Sequence, residues 1–417
     1  MSSCVGSSNV DEGMVQLILK VASRCNLNCS YCYVYNKGDS SWRDRPTFMS
    51  DKVFDAALDR TLEYCRMMNQ RCVSLVFHGG EPCLVGVSRL SEWCRRARNY
   101  LAELNLAISI QTNGTLIDDR WIEAFLEHSM GVGVSIDGPP QIHDRFRVDH
   151  AGRGSHAQVT ATIRMLNDAG VQNGLLCVVP LGSDAVAVHR HLSGLGASSL
   201  TYLLPDYTHE TIGEVRQVYG ETPCADFLVA VFDEWWFNQT LSFEIRDLKN
   251  VARVIMGGES LIETIGNRAP HYFFVETDGA IEGLDALRVC ENGIYGTNLN
   301  VQTAKFVDVR RVGGLHAAAI FESLAVPTPC RGCEEVNTCA GGHLPHRYSR
   351  QRSFDNESVW CADLKKLFAH VRARLDVTPN DTLERRRSLE AKRRALAATE
   401  HCAEKADGPS IAVRLGV

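Results

Sequence analysis

The chain has 417 residues, 45% hydrophobic and 23% charged, with sixteen cysteines and a formal net charge of −6. That length and balance suit a soluble globular protein with one large domain plus accessories, or two to three domains, and the negative charge gives no electrostatic case for nucleic-acid binding. The polar start MSSCVGSSNVDEG is no signal peptide and the first apolar run, 14–22, cannot span a bilayer, so a cytoplasmic protein with no membrane partner is expected, in which regularly spaced cysteines bind metal rather than form disulfides.

Residues 1–14 read as a flexible N-terminus. From 15 to about 215, short apolar runs alternate with amphipathic ones. VQLILKVA (15–22), VSLVFH (73–78), LAISIQ (106–111), GVGVSI (131–136), LLCVV (175–179) and SLTYLL (199–204) have the composition of parallel strands buried on both faces. Between the first two, Ser50 is a candidate N-cap and Val53, Phe54, Ala57, Leu58 and Leu62 share one helical face. A second helix follows Asp118, with Trp121, Ile122, Phe125 and Leu126 on one side, and a third runs from about Ser155 to a stop at Gly170. Six strands alternating with helices predict an α/β fold, a parallel sheet curled into a partial or full barrel, with its chemistry on the loops leaving the strands' C-terminal ends. Residues 216–270 read as a helical bridge, and 271–365 as short strands and turns with a second cysteine group. Residues 366–417 read as C-terminal helices and a loose tail.

Four signatures stand at successive strand exits: SRCNLNCSYC after the first, HGGEP after the second, TNGT after the third and SIDGPP after the fourth. Together they predict one shared site. In the first, Cys25, Cys29 and Cys32 are separated by gaps of three and two residues. Thiolates select zinc, copper(I) or iron–sulfur clusters, and structural zinc needs four closed ligands. Three cysteines on one tight loop are suited to three irons of a four-iron cube with the fourth open; a zinc loop completed by a distant ligand is the competing reading.

CNLNCSYC has the CxxxCx-aromatic-C pattern of the radical S-adenosylmethionine (SAM) superfamily, with Tyr31 as the aromatic. HGGEP resembles that superfamily's motif for the SAM amino group, and SIDGP the strand-4 signature of its peptide-modifying branch. The resemblance runs from residue 15 to about 365. It implies a partial (β/α)6 barrel and makes SAM the missing ligand of a [4Fe-4S] cluster. It assigns Gly79 and Gly80 to close backbone approach to the SAM amino group, with Glu81 supporting that turn or the ammonium. Thr112, Asn113, Ser135 and Asp137 would bond ribose and methionine atoms, and Arg147 the SAM carboxylate. Tyr31 would pack over the cluster. Cys83 departs from the branch's usual aliphatic residue and reads as a small core side chain.

CRGCEEVNTC gives Cys330, Cys333 and Cys339, and Cys361 follows after 21 residues. Four thiolates would close a zinc site as well as a cluster. The set resembles the SPASM extension of peptide-modifying radical SAM enzymes, which implies an auxiliary [4Fe-4S] cluster. Two of that pattern's cysteines are missing: His343 and Leu284 stand in their places, so one auxiliary cluster is expected rather than two. Cys290 reads as a free core thiol, with a fifth ligand of the auxiliary cluster as the alternative. Asp285 aligns with a catalytic base of sulfatase-maturating relatives, a role a carboxylate near the substrate can fill.

The stretches 29–50 and 339–364 resemble maturases that form cyclophane crosslinks in ribosomally made peptides. The implied reaction begins with hydrogen abstraction by a 5′-deoxyadenosyl radical and joins an aromatic ring carbon to a nearby β-carbon of a precursor peptide. An external one-electron donor, flavodoxin or ferredoxin, is implied by the resemblance. Two alternatives remain at this stage. One is another radical SAM oxidation: side-chain dehydrogenation as in sulfatase maturation, thioether formation, or modification of a non-peptide metabolite. The other is a zinc-bearing structural protein.

Overall fold

A computed structural model describes residues 14–238, 243–266, 272–322 and 324–406; the expected flexible start lies, but for Met14, outside the described residues, as does the end of the tail. Strands β1 (Val15–Ala22), β2 (Cys72–Gly79), β3 (Asn105–Thr112), β4 (Gly131–Ser135), β5 (Asn173–Val178) and β6 (Ser199–Leu203) pair in parallel in chain order. Helices α1 (Asp51–Met67), α2 (Val87–Tyr100), α3 (Asp119–Glu127), α4 (Pro140–Phe146), α5 (His156–Asp168) and α6 (Ala185–Ser193) connect them.

The sheet continues past the six expected strands. Within the segment read as a helical bridge, β7 (Glu244–Ile245) adds in parallel to β6. On the other side β8 (Tyr272–Val275) adds in parallel to β1, followed by antiparallel β9 (Ala280–Glu282) and β10 (Gly296–Asn300). The ten-stranded ladder runs from β10 to β7 without closing, a partial barrel.

Local chemistry sets the helices. The Ser50 hydroxyl accepts the Val53 N–H at 3.3 Å to cap α1, whose expected apolar face is buried. Asp118 caps α3 in the same way. Leu126 departs from expectation: it is 50% exposed, because the stripe set by Trp121, Ile122 and Phe125 leaves the next residue about 100° round the helix. Gly170, at φ +71°, ends the turn after α5. Phe54 stacks on Phe77 and Trp93, joining α1, β2 and α2. One continuous core extends from there to Trp360 and to Leu364 and Phe368 of the helix Cys361–Leu375 that follows it.

The strands are not buried on both faces as expected. β2 to β6 alternate buried and partly exposed residues. Many of their inner positions are small: Ser74, Ser109, Gly131, Gly133, Gly174, Ser199 and Thr201, beside Val76, Gln111, Leu176 and Leu203, line a cavity of about 500 Å³. Barrels that fill their interiors do so with branched side chains. Glycine and serine leave this one hollow, at the size of a small-molecule site.

Candidate active site

The three-cysteine loop leaves β1 directly. Cys32 N–H closes its turn on the Cys29 carbonyl at 3.0 Å. The sulfurs have donors aimed at them: Leu27 N–H reaches Cys25 Sγ at 3.4 Å and Asn113 Nδ2 at 3.7 Å, and the Val34 and Tyr35 amides serve Cys32. Burial pushes the Cys25 thiol up to about 12 and Cys32 to about 11, so a bound metal's charge is what would make them thiolates. Three thiolates on one tight loop suit three irons of a four-iron cube with the fourth open, so the donor set fits a four-iron cluster.

The exits of β2 and β3 brace this loop. Gly80 N–H donates to Ala22 O at 2.8 Å and Glu81 N–H to Arg24 O at 2.9 Å. A Cβ at Gly79 or Gly80 would strike the Ala22 or Arg24 backbone. Glu81 is fully buried and ties the exits together. It accepts from Cys83 N–H at 3.0 Å, Thr112 Oγ1 at 2.7 Å and Asn113 N–H at 2.7 Å. Asn113 also bonds Asn26 and Thr115. Glu81, Thr112 and Asn113 therefore hold the cysteine loop's frame, with protein partners for their polar atoms. Cys83 is a buried core residue beside Thr112.

Around β4 the sequence-predicted residues meet. Tyr31 donates to Asp137 and accepts from Arg147 Nη1 at 2.7 Å, so its hydroxyl is tied by polar bonds while its ring tilts against Phe146. Asp137 Oδ1 accepts Val178 N–H at 3.0 Å; its carboxyl is raised by burial, against the pull of Arg147. Arg147 is 8% exposed and its Nε has no partner. His143 positions this group. Its Nδ1 accepts the Asp137 amide, so its Nε2–H faces Ser155, whose hydroxyl donates to Arg147 O. Ser135 accepts from Gln111 at 3.0 Å, away from this knot on the inner face.

Asp285 is the hub of a buried ion network. It accepts from Lys20 of β1, from Arg288 Nε at 2.7 Å and from Tyr33 OH at 2.6 Å. Arg288, 1% exposed, also pairs with Asp39, Glu276 and Glu282, and Arg45 spans Glu276 and Glu282. Burial alone would raise the Asp285 carboxyl, but Lys20 and Arg288 overcome it and hold it well below the usual carboxylate range. Because Tyr33 follows Cys32 directly, an ionised carboxylate is fixed beside the cysteine loop.

Cys330, Cys333, Cys339 and Cys361 line one cavity. Arg372 fastens its frame: it takes Glu335 in a bidentate pair at 2.7 and 2.8 Å and bonds Thr338 and Thr382. Cys290 does not line that cavity. It packs with Leu284, Leu287, Tyr295 and Leu344 in a separate apolar cluster. Leu284 thus sits in packed hydrocarbon, and His343 is buried next to His346, ring centroids 5.0 Å apart.

Sequence reasoning missed the ion network, Tyr33, Arg347 and the Glu335–Arg372 clamp. One signal was available: Lys20 inside the apolar run VQLILKVA required a buried carboxylate partner.

Residues 19–186 match the family model described as the radical SAM superfamily. The chain is 28% identical over 367 residues to the cysteine-type anaerobic sulfatase-maturating enzyme of Clostridium perfringens (strain 13 / Type A), spanning 86% of this chain and 96% of that one. It is 25% identical over 391 residues to a serine-type anaerobic sulfatase-maturating enzyme of Bacteroides thetaiotaomicron, spanning 86% and 90%. The fold superposes on native anSMEcpe with bound AdoMet and Cp18Cys peptide with TM-score 0.72 and 25% identity, covering 87% of this chain and 97% of that one. It also superposes on Streptococcus suis SuiB bound to precursor peptide SuiA, TM-score 0.55 at 13% identity, covering 83% and 76%, a likeness of fold. Among the described residues no helix is long and apolar enough to cross a membrane.

Proposed function

From the premise that this chain carries a radical SAM domain and is an enzyme of radical oxidation, we propose that it oxidises a ribosomally made precursor peptide, joining an aromatic ring carbon to a nearby β-carbon. The radical SAM family uses a [4Fe-4S] cluster and SAM. Here Cys25, Cys29 and Cys32 would hold that cluster, and Cys330, Cys333, Cys339 and Cys361 a single auxiliary [4Fe-4S] cluster. Bound there, these groups supply hydrogen-atom abstraction and a one-electron sink. An external flavodoxin or ferredoxin would supply the starting electron.

The chain's own residues do the rest. Gly79, Gly80, Glu81, Thr112 and Asn113 fix the cysteine loop and bring backbone close to SAM. Ser135, Asp137 and the Nε of Arg147, unpartnered among the described residues, are its polar contacts, and Tyr31 packs over the cluster. Asp285 takes the proton lost by the substrate. Its low basicity suffices, because a side chain that has lost a hydrogen atom and an electron is a far stronger acid than the parent C–H. Residues 15–215 hold SAM and 271–365 hold the auxiliary cluster.

The observation that best supports this reading is the 2.6 Å bond from Tyr33, the residue after Cys32, to Asp285: it ties a buried carboxylate to the cysteine loop. A second reading, sulfatase-type oxidation of a single cysteine or serine, is favoured by the 28% identity to the Clostridium perfringens enzyme. The test is anaerobic turnover of synthetic peptides that pair an aromatic residue with aliphatic neighbours, beside cysteine- and serine-bearing sulfatase peptides. Loss of two hydrogens, located by fragmentation between two residues, is expected. A change confined to one side chain would hand the function to the second reading. Zinc without acid-labile sulfide would end both.

A further inference from the structure

Among the described residues of the C-terminal third, three arginines are buried with 7% exposure or less: Arg288, Arg347 and Arg372. Two are neutralised by carboxylates. Arg288 meets Asp39, Glu276, Glu282 and Asp285, and Arg372 meets Glu335. Arg347, 1% exposed, forms no ion pair with any carboxylate among the described residues. Its donors all end on neutral carbonyls: Nε on Gly342 O at 3.0 Å, Nη2 on Ala340 O at 2.9 Å and Gly342 O at 2.5 Å, Nη1 on Ala325 O at 3.4 Å. A buried charge without a counter-charge is strongly disfavoured, so an anion belongs beside it.

The geometry says where. Cys339 is followed by Ala340, Gly341 and Gly342 at φ +51°, +95° and +74°. This left-handed turn folds two carbonyls onto the guanidinium. Gly341 forms part of the wall of the four-cysteine cavity, and a Cβ there would stand 3.0 Å from Arg347 Cζ. The guanidinium thus lies directly behind that wall. Burial works against the Arg347 charge, and Cys339 and Cys330 act in the opposite direction. Lys365 and Glu357 also line the cavity with opposite signs; Lys365 and Arg216 act on Cys361, and Glu357 acts on both Cys361 and Cys330.

We propose that Arg347 is the fixed counter-cation of the auxiliary [4Fe-4S] cluster and raises its reduction potential, making it the acceptor of the electron lost by the substrate. This rests on the auxiliary cluster of the preceding section. The balance is simple: after hydrogen-atom abstraction, one electron leaves the substrate for the cluster and one proton leaves for Asp285. Four thiolates give the cluster net negative charge, and each added electron increases it. A buried cation favours the reduced form, charge and burial being established levers on such potentials. Arg347 touches neither substrate nor reacting atoms; it is a positioning residue.

The test uses the full chain with Cys25, Cys29 and Cys32 changed to Ala, so that only the auxiliary cluster is read. Iron and sulfide content come first, then the midpoint potential by anaerobic redox titration followed by electron paramagnetic resonance. Arg347→Gln should lower the reduced fraction at fixed potential at least tenfold, about 59 mV for one electron. Arg347→Lys, which keeps the charge, should stay near the parent. If only the Gln variant fails to load iron, the requirement for charge is supported. Equal potentials in all three, equal falls in both variants, or loss of iron in both would overturn the proposal, leaving Arg347 a hydrogen-bond scaffold. A parent with no iron at all would instead overturn the auxiliary-cluster reading, before any arginine is changed.

Discussion

Asp285 shows how one side chain serves both fold and chemistry. The buried network holds four carboxylates, Asp39, Glu276, Glu282 and Asp285, against three cations, Lys20, Arg45 and Arg288. Asp285→Asn therefore leaves balanced charge, and Lys20 keeps Glu276 at 3.2 Å. We expect this variant to fold with both clusters and still form 5′-deoxyadenosine, while peptide product falls about 10²-fold or more. Retained product would remove Asp285 from the proton path. Arg288→Ala leaves four carboxylates with two cations, and a loss of about 3–5 kcal/mol in denaturant unfolding is expected. Histidines give the pH dependence. Burial pushes His143 down to about 2 and His189 to about 4, against about 6.5 in an unfolded chain. Below that value the unfolded chain binds protons the native chain refuses, so the contribution of these histidines is full above pH ~6.5 and falls as pH drops. His143→Gln should make the loss between pH 6 and 5 shallower by up to about 1.36 kcal/mol per pH unit. An unchanged slope would mean that His143 titrates normally in the fold.

At the level of elements, the β2 exit tests what holds the cysteine loop. Gly80 has no room for a side chain against the Arg24 carbonyl and the Tyr35 hydroxyl, and its amide bonds Ala22 O. Gly80→Ala should push the β2 exit off the loop. Iron per chain should drop from about eight to about four, the auxiliary cluster remaining; full iron and SAM cleavage would show that the loop holds itself. Much of this layer was legible. The six strands, the Ser50 cap and the four exit signatures follow from apolar runs and turn chemistry, which are local. The additions β7 and β8 were not. Glu244–Ile245 is two residues long, too short for a periodic signal, and Tyr272–Val275 gains its partner β1 from more than 250 residues away. The hollow interior lay in plain view in GVGVS, where glycines at inner positions cannot fill a barrel, yet Val and Ile composition outweighed it. Polar partners were the least legible: HGGEP leaves Glu81 to support its turn or the SAM ammonium, and only the fold shows its partners Cys83, Thr112 and Asn113.

At the scale of the whole molecule, the two cysteine regions share one sheet and one buried charge network rather than standing as separable units. β8 covers the β1 edge in a four-residue parallel register from Gln16↔Tyr272 to Leu19↔Val275. From the same C-terminal segment Glu276, Glu282 and Asp285 neutralise Lys20 and Arg45, which belong to the barrel half. A fragment ending near residue 265 would leave an unpaired parallel edge on β1, a site for aggregation. It would also strand the Lys20 ammonium, 3% exposed in the intact chain, with no carboxylate within reach. Burying such a charge unpaired costs several kcal/mol, a large part of the ~5–15 kcal/mol that holds a typical domain. We therefore expect the 1–265 fragment to lack cooperative unfolding and near-ultraviolet dichroism, even with iron and sulfide supplied. Lys20→Met in that fragment should recover part of the transition, since it removes the stranded charge while keeping the stem's packing. A fragment that unfolds cooperatively without this change would mean that the barrel half is stable by itself, and that the ion network serves the site rather than the fold.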